Sequence, residues 1–393
     1  MLTLVADDLT GACDSGALFS GPGPVGVLTD GLTLDPGWDV VSADTESRPL
    51  EPGDAAKRVW ETARRLQPRL GHGLVFKKID STMRGPVAAE LDALLLATGL
   101  RAALVCPAFP VQGRTVMNGV LRVGGRPAHE TPIGQDPYYP GATSSVLEML
   151  EGASERPVRH VPLREVRWGR DALARLLTDA GDALIAADAE TESDLDAIAR
   201  AATDDPSLLL AGSAGMARAL AGALDYPAPS TALPPGRGWL IVAGSLHPAT
   251  RAQIKALADS GVTGLWVDGG REPSPDPAIA ALRHGRPAFV ATREPRYAAD
   301  HEAWAEMASQ LALVVAHVVA EAEADVLAVT GGATAWALLQ ALEATRLEVT
   351  AAPSSGLALG DLVVKQASTL SLLTKAGGFG APDLFLDLMK ATR

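Results

Sequence analysis

The sequence contains few cysteines and no long apolar run. Its 393 residues include only Cys13 and Cys106, which excludes a disulfide framework, and neither lies in a cluster of metal-ligating residues. The most apolar stretch, 311–320, contains His317 and stops at acidic residues, so we expect no membrane span. The N-terminus has no basic segment followed by an apolar core, which argues against secretion and favours a cytoplasmic protein.

An excess of basic residues is also missing. The chain has 34 Lys and Arg against 47 Asp and Glu, a net charge of −13 at pH 7, which argues against a nucleic-acid-binding surface. No GxxxxGK[ST] segment occurs, so the chain is not a P-loop enzyme, and no GxGxxG follows the first strand of either half. Hydrophobic residues make up 47% of the sequence, enough for two globular domains with full cores.

Short apolar segments alternate with helical patterns along the whole chain. The pattern predicts strands at 2–6, 25–28, 74–77, 102–106, 183–186, 208–211, 239–243, 265–267, 288–291, 326–329 and 347–350. Helices are predicted at 54–67, 87–97 and 194–202. This alternation is typical of an α/β fold with mostly parallel sheets flanked by helices. A segment rich in proline and glycine predicts a linker at 227–238 between domains at 1–226 and 239–393.

The first predicted strand ends at paired carboxylates. Asp7 and Asp8, followed by Thr10 and Gly11, stand where the strand turns into a helix. Ligands of open α/β sheets bind at the carboxyl ends of the strands. Two adjacent acids at this position therefore indicate catalysis or metal binding more than packing.

A second polar cluster, KKIDSTMRG at 77–85, follows another predicted strand. Lys78 and Arg84 supply cations, Ser81 supplies a hydroxyl, and Asp80 supplies a carboxylate that could orient or deprotonate a substrate hydroxyl. The helix that begins near Pro86 adds free N–H groups, which favour an anion. Any one of these residues could instead cap a helix, but capping needs only one side chain. The whole cluster predicts a site for a small anion.

The strand at 102–106 leads into PAFPVQGR at 107–114. Arg114 can bind a carboxylate through two hydrogen bonds. The following stretch, 120–140, is predicted to be irregular, and we interpret its His129 as a surface residue rather than a base. Small residues at 212–215 either bind an anion or allow close packing of a helix on a strand.

Three glycine clusters occur in the second half, at 244–245, 331–334 and 377–380. The first two follow predicted strands. Glycine lets backbone amides approach phosphate oxygens closely, and a helix N-terminus favours negative charge. A single cluster also suits a tight turn, but three in one domain predict a phosphate site.

These segments together resemble the four-carbon acid sugar kinase family. The resemblance covers nearly the whole chain and is most specific in ADDLTGACDSG at 6–16, KKIDSTMRG at 77–85, PAFPVQGR at 107–114 and GGFG at 377–380. It implies an N-terminal sugar-acid-binding domain and a C-terminal nucleotide-binding domain. It also implies an ATP-dependent kinase that phosphorylates the terminal hydroxyl of threonate, erythronate or 3-oxo-tetronate. We expect the active site in the cleft between the two domains.

Carried over by position, the resemblance implies two sets of binding residues. The set that faces the sugar acid is Asp8, Lys78, Asp80, Ser81, Arg84, Gln112 and Arg114. The set that contacts ATP is Ser245, Gly331, Gly332, Ala333, Thr334, Gly377 and Gly378. The chain departs from the family pattern at Ala333, where an acidic residue is usual, and at 355–360, which matches a glycine–x–proline–x–glycine turn only loosely.

We hypothesise that the γ-phosphoryl group of ATP is transferred to the 4-hydroxyl of a four-carbon sugar acid. Arg84, with Lys78 or Arg114, would clamp the substrate carboxylate. Asp8 or Asp80 would accept the hydroxyl proton, and we favour Asp80 because its basic neighbours keep it ionised. The other acid, with Asp7, would help to coordinate Mg²⁺ through water.

Two other functional classes stay open. A phosphohydrolase with an aspartate nucleophile typically has Asp-x-Asp-x-Thr, whereas residues 7–10 have a different spacing. A non-catalytic sensor would bind a sugar acid or a nucleotide without turnover, although binding alone rarely needs a free carboxylate beside an anionic ligand. We take a homodimer as the working hypothesis for the assembly and expect no nucleic-acid or membrane partner.

Overall fold

The chain forms two compact α/β units. The structure, a computed structural model, describes residues 1–70, 73–136, 138–139, 141, 143–268, 273–293, 301–365 and 369–392. One unit comprises Met1–Phe19 and Asp39–Pro227, and the other comprises Ser20–Trp38 and Ala228–Arg393. The predicted α/β class is confirmed. The sequence did not indicate that residues 20–38 belong to the second unit, and the predicted limits of the domains and linker stay a prediction.

The strands of the described residues follow the apolar segments of the sequence. They are β1 Leu2–Ala6, β2 Val25–Leu28, β3 Val40–Asp44, β4 Leu74–Lys78, β5 Ala102–Cys106, β6 Arg114–Met117, β7 Val120–Val123, β8 Arg126–Pro127, β9 Val158–Val161, β10 Leu184–Ala187, β11 Leu208–Gly212, β12 Trp239–Ala243, β13 Thr263–Val267, β14 Ala288–Thr292, β15 Val326–Thr330, β16 Ala344–Ala351, β17 Leu357–Val364 and β18 Leu370–Lys375. Each predicted strand is confirmed to within a few residues at its ends.

The helices of the described residues fill most of the intervals between strands. They are α1 Leu9–Ala17, α2 Pro52–Arg65, α3 Gln67–Leu70, α4 Val87–Thr98, α5 Val146–Glu151, α6 Leu163–Val166, α7 Arg170–Thr178, α8 Glu192–Ala202, α9 Ala214–Ala223, α10 Pro248–Asp259, α11 Asp276–Arg283, α12 His301–Glu321, α13 Gly332–Ala341 and α14 Leu384–Ala391. No helix in these described ranges is long and apolar enough to cross a membrane.

The first unit contains a parallel sheet with the strand order β3-β1-β4-β11-β5-β10-β9. β1, β5 and β11 are buried along their whole length, as expected for parallel strands covered on both faces. Because β1 lies between β3 and β4, the segments that follow these three strands meet at one edge of the sheet.

The predicted irregular stretch at 120–140 is wrong in part. β6, β7 and β8 form a separate antiparallel sheet in the first unit. Asn118 and Gly119 make the tight turn between β6 and β7 with positive φ angles of 52° and 73°. These strands are only two to four residues long, so their pattern did not distinguish them from a loop.

The second unit has the strand order β13-β14-β12-β15-β18-β17-β16-β2. The first five strands are parallel and the last three run antiparallel to their neighbours. Its core contains Trp239, Phe289 and Phe385. At β2, Trp38 covers Gly26 so closely that a Cβ on this glycine would lie 1.9 Å from the indole ring. The pairing of β2 with β16 and the hydrogen bond from Trp38 to Glu348 hold residues 20–38 in the second unit.

Candidate active site

The carboxyl end of β1 carries two aspartates that share one arginine. Arg48, in the segment after β3, donates from Nε to Asp7 Oδ2 at 2.7 Å and from Nη2 to Asp7 Oδ1 at 2.9 Å. The same Nη2 lies 2.7 Å from Asp8 Oδ1. Burial raises the pKa of Asp7, but the charge and hydrogen bonds of Arg48 outweigh it, so this pKa lies below its usual value. Asp7 is therefore ionised and fully engaged by Arg48.

Asp8 is the N-cap of α1, and Gly11 allows the close approach that this cap requires. Asp8 Oδ1 accepts the N–H of Gly11 at 3.1 Å, and Asp8 Oδ2 accepts the hydroxyl of Thr10 at 2.7 Å. A Cβ at position 11 would lie 2.4 Å from Asp8 Oδ1 and 3.0 Å from Lys78 Nζ. The Lys78 ammonium and the Asp8 carboxylate therefore both border Gly11.

Asp80 and Arg84 form a two-pronged ion pair after β4. Arg84 Nε and Nη2 lie 2.9 and 2.8 Å from the two carboxylate oxygens of Asp80, and Arg84 Nη1 lies 3.0 Å from Asp136 Oδ2. The backbone N–H of Thr82 also donates to Asp80 at 3.1 Å. Burial raises the pKa of Asp80, but Arg84 outweighs it and holds that pKa well below its usual range. Asp80 caps no helix, since α4 begins after Pro86 without a side-chain cap.

Two cations at this edge of the sheet have no carboxylate partner. Arg114 Nη1 donates to the backbone oxygen and to Oε1 of Gln112, at 3.1 and 3.3 Å. Within the described ranges, neither Arg114 nor Lys78 forms a salt bridge. Burial lowers the pKa of Arg114, while the charge of Asp80 opposes this effect. Cations that lack a protein anion in a cluster of ion pairs are suited to an anionic ligand.

The structure brings together every residue that the resemblance assigned to the sugar acid. Ser81 lies half-buried beside Asp80, and its hydroxyl has no hydrogen-bond partner in the described part of the chain. The sequence reasoning missed Arg48, which holds both aspartates of β1, and Glu46. The sequence contains a signal for both residues, because the polar run 44–48 directly follows the apolar residues of β3.

Glu46 adds a third carboxyl group near Asp8. It has a positive φ of 44°, which is uncommon for a residue other than glycine and occurs often at functional sites. Its Oε1 accepts the N–H of Leu9 at 3.3 Å. Burial raises the pKa of Glu46 well above its usual value, and the charges of Asp44 and Asp8 add to this effect. Glu46 is therefore the carboxyl group of the cluster that most readily holds a proton.

The three glycine clusters of the second unit converge on one place. β12 and β15 are neighbours, so the residues that follow them are adjacent. A Cβ on Gly244 would lie 2.0 Å from Thr334 Oγ1, and a Cβ on Gly377 would lie 2.5 Å from Ser245 Oγ. Gly331 adopts a φ of 100°, which only glycine adopts readily.

Backbone N–H groups at this place are available to a ligand. In the residues that the structure describes, the N–H groups of Gly377 and Gly378 make no hydrogen bond. The first turn of α13, which begins at Gly332, contributes N–H groups that have no acceptor within the helix. Ala333 is exposed in this turn. Such an arrangement binds phosphate oxygens.

We expect Gly244→Ala to raise the KM for ATP about tenfold or more, because the added methyl group displaces Thr334 and a misplaced donor loses a charge-assisted hydrogen bond. The KM for the acid substrate should stay unchanged. Steady-state kinetics with each substrate varied in turn checks this. Gly222→Ala is the matched control, because its Cβ meets no atom within 4 Å. An unchanged KM for ATP in Gly244→Ala would place the nucleotide elsewhere.

Comparison with known proteins assigns the two units to known domain families. A family model described as a sugar-binding N-terminal domain matches residues 2–220, and one described as a nucleotide-binding C-terminal domain matches residues 240–385. A D-threonate kinase from Bordetella bronchiseptica is 35% identical, with 99% of this chain and 97% of the relative covered. A D-threonate kinase from Salmonella typhimurium is 31% identical at the same coverage. The chain belongs to the four-carbon acid sugar kinase family.

Membership in this family makes the chain an ATP-dependent kinase of four-carbon sugar acids, as the sequence predicted. A third relative, a 3-oxo-tetronate kinase from Methylobacterium radiotolerans, is 31% identical, with 99% of both chains covered. A crystal structure from Salmonella typhimurium has the same fold, with a TM-score of 0.78, 24% identity and 98% of both chains covered. A crystal structure from Bordetella bronchiseptica, a domain-swapped dimer with bound citrate, is 32% identical with a TM-score of 0.51, covering 100% of this chain and 98% of the other.

Proposed function

We propose that this kinase transfers the γ-phosphoryl group of ATP to the 4-hydroxyl of D-threonate. The observation that carries the proposal is the pair of unpartnered cations, Lys78 and Arg114, beside the carboxylates at the end of β1. Two relatives that match nearly the whole chain are named D-threonate kinases, which favours threonate among the four-carbon acids. The citrate bound in the Bordetella structure is likewise a hydroxylated carboxylate.

The cations would bind the carboxylate of the acid. Arg114 can grip both carboxylate oxygens through its planar fork, whereas Lys78 acts as a point charge. Arg84 is neutralised by Asp80 and Asp136, which leaves it less suited to the clamp that the sequence analysis assigned to it. The free hydroxyl of Ser81 and the amide of Gln112 would bind the hydroxyl groups of the acid.

Asp8 would accept the proton of the attacking hydroxyl at Oδ2, which is bound by the neutral hydroxyl of Thr10, whereas Arg48 and the N–H of Gly11 bind Oδ1. The attacking oxygen forms a bond to the γ-phosphorus, the bond from this phosphorus to the β–γ bridging oxygen breaks, and ADP leaves. The sequence analysis favoured Asp80 for the proton. In the structure both Asp80 oxygens are held by Arg84, and a carboxylate with a strongly lowered pKa is a weak base. Asp80 would instead fix Arg84 in place.

The phosphates of ATP would lie against the N–H groups of Gly332, Gly377 and Gly378, with the hydroxyls of Ser245 and Thr334 beside them. Gly331 would shape the turn, since its own N–H donates to the carbonyl of Lys375 at 3.2 Å. Ala333 puts a methyl group where the family usually has an acid, so this chain would hold the nucleotide without that carboxylate.

Mg²⁺ fits this site as an ion held mainly by the nucleotide. In the described ranges, no group of three or more His, Cys, Asp or Glu side chains converges on a metal site. Mg²⁺ usually keeps several waters and binds substrate phosphates with few protein ligands, and Ser245 and Thr334 offer oxygen donors. When bound, it would neutralise charge on the phosphates.

The test is coupled ADP release with ATP and Mg²⁺ against D- and L-threonate, D- and L-erythronate and 3-oxo-tetronates. We expect the highest kcat/KM with D-threonate. A higher kcat/KM with another four-carbon acid would identify that acid, rather than D-threonate, as the substrate. Release of phosphate from a four-carbon acid phosphate without nucleotide would instead identify a phosphohydrolase. A thermal shift with D-threonate but no turnover would identify a sensor.

We expect Arg114→Ala to raise the KM for the acid about 10- to 100-fold, because a charge-assisted hydrogen bond to the carboxylate is lost. The KM for ATP should stay the same. Arg122→Ala is the matched control, since Arg122 lies on the neighbouring strand β7 and, among the residues that the structure describes, donates only to the backbone oxygen of Gly125. Equal acid KM values in the two variants would remove Arg114 from the acid site.

We also propose that the kinase forms a homodimer and acts in the cytoplasm, where ATP is available. Support for the dimer comes from the Bordetella relative, whose structure is a domain-swapped dimer. Light scattering coupled to gel filtration tests it, and a monomer mass across the working concentration range would contradict it.

A further inference from the structure

A buried lysine lies directly beneath the last glycine cluster. Lys375, the final residue of β18, has 1% of its surface exposed. Its Nζ donates to the carbonyl of Ala376 at 2.9 Å, to the carbonyl of Gly377 at 3.1 Å and to Thr250 Oγ1 at 3.4 Å. No salt bridge involves Lys375 in the described part of the chain. Burying an amine with only neutral acceptors costs free energy. This cost indicates that Lys375 has a role at this position.

Four carbonyl groups of the turn at 376–380, those of Ala376, Gly377, Phe379 and Gly380, are bound from one side. Thr250 of α10 also donates to the carbonyl of Gly377, at 2.8 Å. Gln253, one turn further along α10, donates to the carbonyls of Phe379 and Gly380 at 2.9 and 3.1 Å. The N–H groups of Gly377 and Gly378 are left without an acceptor among the described residues. Most carbonyls of the turn are therefore bound, while the N–H groups of Gly377 and Gly378 are available.

We propose that Lys375 is a positioning residue of the nucleotide site, which fixes the carbonyls of Ala376 and Gly377 so that the N–H groups of Gly377 and Gly378 meet the phosphates. This inference rests on the proposed nucleotide site. Lys375 acts through the turn, because its amine is covered by the carbonyls that it binds. Removing the amine frees the turn to rotate its peptide groups, and the phosphates lose aligned donors.

Burial lowers the pKa of Lys375 to about 7. The amine is therefore largely neutral at pH 8 in the absence of a ligand, and its two N–H groups then suffice for the carbonyls of Ala376 and Gly377. Phosphates bound at the turn would favour the ammonium form and raise this pKa. Nucleotide binding at pH 8 should then be coupled to the uptake of a proton by Lys375.

Other titratable groups near the turn could contribute to such uptake. On the α10 side these are His247, whose Nε2 would lie 3.2 Å from a Cβ on Gly378, and Arg251. The neighbouring strands β15 and β17 place Thr330 and Ala358 next to β18, and these side chains do not titrate. The first turn of α13 adds only small residues. His247 is thus the group whose titration has to be separated from that of Lys375.

Calorimetric titration of the full chain with ADP and Mg²⁺ at pH 8 tests the proposal. Measurement in buffers of low and high ionisation enthalpy gives the number of protons taken up. We expect up to about one proton per ADP in the wild type, and none in Lys375→Met. In this variant the Kd for ADP should rise about 10- to 100-fold, with the KM for the sugar acid unchanged.

Two further variants keep the test decisive if Lys375→Met fails to fold. Thr250→Val removes another donor to Gly377, so it should weaken ADP binding but retain the proton uptake. His247→Asn should retain the uptake as well, and its loss there would assign the proton to His247. ADP binding by the wild type without proton uptake, or an unchanged Kd in Lys375→Met, would overturn the role of Lys375 and leave the proposed nucleotide site intact. Absence of ADP binding by the wild type would overturn both the role of Lys375 and the proposed nucleotide site.

Discussion

Asp8→Asn is expected to lower kcat by about 10²- to 10⁴-fold, the range found when a general base is removed, with ATP affinity unchanged. Asparagine keeps the oxygen that accepts the N–H of Gly11, so α1 retains a good N-cap. The amide cannot take the proton of the attacking hydroxyl. Steady-state kcat with the acid saturating, and a separate ATP binding measurement, check this expectation.

Asp80→Asn is the informative comparison for Asp8→Asn. It breaks one arm of the ion pair with Arg84, so it should raise the KM for the acid more than it lowers kcat. The opposite pattern, with near-normal kcat in Asp8→Asn and a large loss in Asp80→Asn, would return the role of proton acceptor to Asp80.

Lys77→Met is expected to destabilise the protein by about 3–5 kcal/mol, the cost of leaving a buried charge without its partner. Lys77 Nζ lies 2.7 Å from Glu90 Oε2, and both side chains are at most 1% exposed. The hydroxyl of Ser47 also donates to Glu90. Denaturant unfolding of the variant and the wild type measures the difference in the free energy of unfolding.

The double variant Lys77→Met, Glu90→Met should recover most of this loss, because neither side of the pair then leaves a buried charge without its partner. The exposed pair Lys255–Asp259 supplies the control, since Lys255→Met should cost less than about 1 kcal/mol. If Lys77→Met lowered the free energy of unfolding by less than about 1 kcal/mol, the buried pair Lys77–Glu90 would contribute nothing to stability.

The pH dependence of Lys77→Met provides a second check. Burial raises the pKa of Glu90, and Lys77 opposes this effect, so removing Lys77 raises the pKa further. In the folded variant, Glu90 therefore keeps its proton up to a higher pH than it does in the unfolded chain. Stability should therefore fall as the pH rises from the ordinary glutamate pKa through the raised one.

The sequence was sufficient to place most of the strands and the polar residues that follow them. Local apolar runs identify β1, β4 and β5, whose carboxyl ends meet at one edge of the sheet, while the grouping of Asp8, Lys78 and Arg114 followed from the resemblance to the family. The pairing of charges could not be predicted. That Arg84 is occupied by Asp80 while Arg114 is unpartnered depends on distances between side chains, which spacing along the chain does not encode.

Long-range strand pairing was the other limit. The short apolar patterns of the antiparallel strands β17 and β18 do not indicate which strands they pair with. Arg48 was missed for a related reason, because β3 was not recognised as a strand and the polar residues after it were not assigned to the same edge. The role of Lys375 depends on its burial beneath a turn, which nothing in its local sequence indicates.

The place of residues 20–38 in the second unit has a consequence for synthesis of the chain. Trp38 Nε1 donates to Glu348 at 2.6 Å, a bond between residues 310 positions apart. At ribosomal rates the partner of this tryptophan follows after roughly 15–60 s. During that time β16, with which β2 pairs in the second unit, has not yet been made. A fragment that starts after residue 227 lacks β2 altogether and leaves the edge of β16 open to pairing with other chains, so cutting the chain there cannot yield two intact halves.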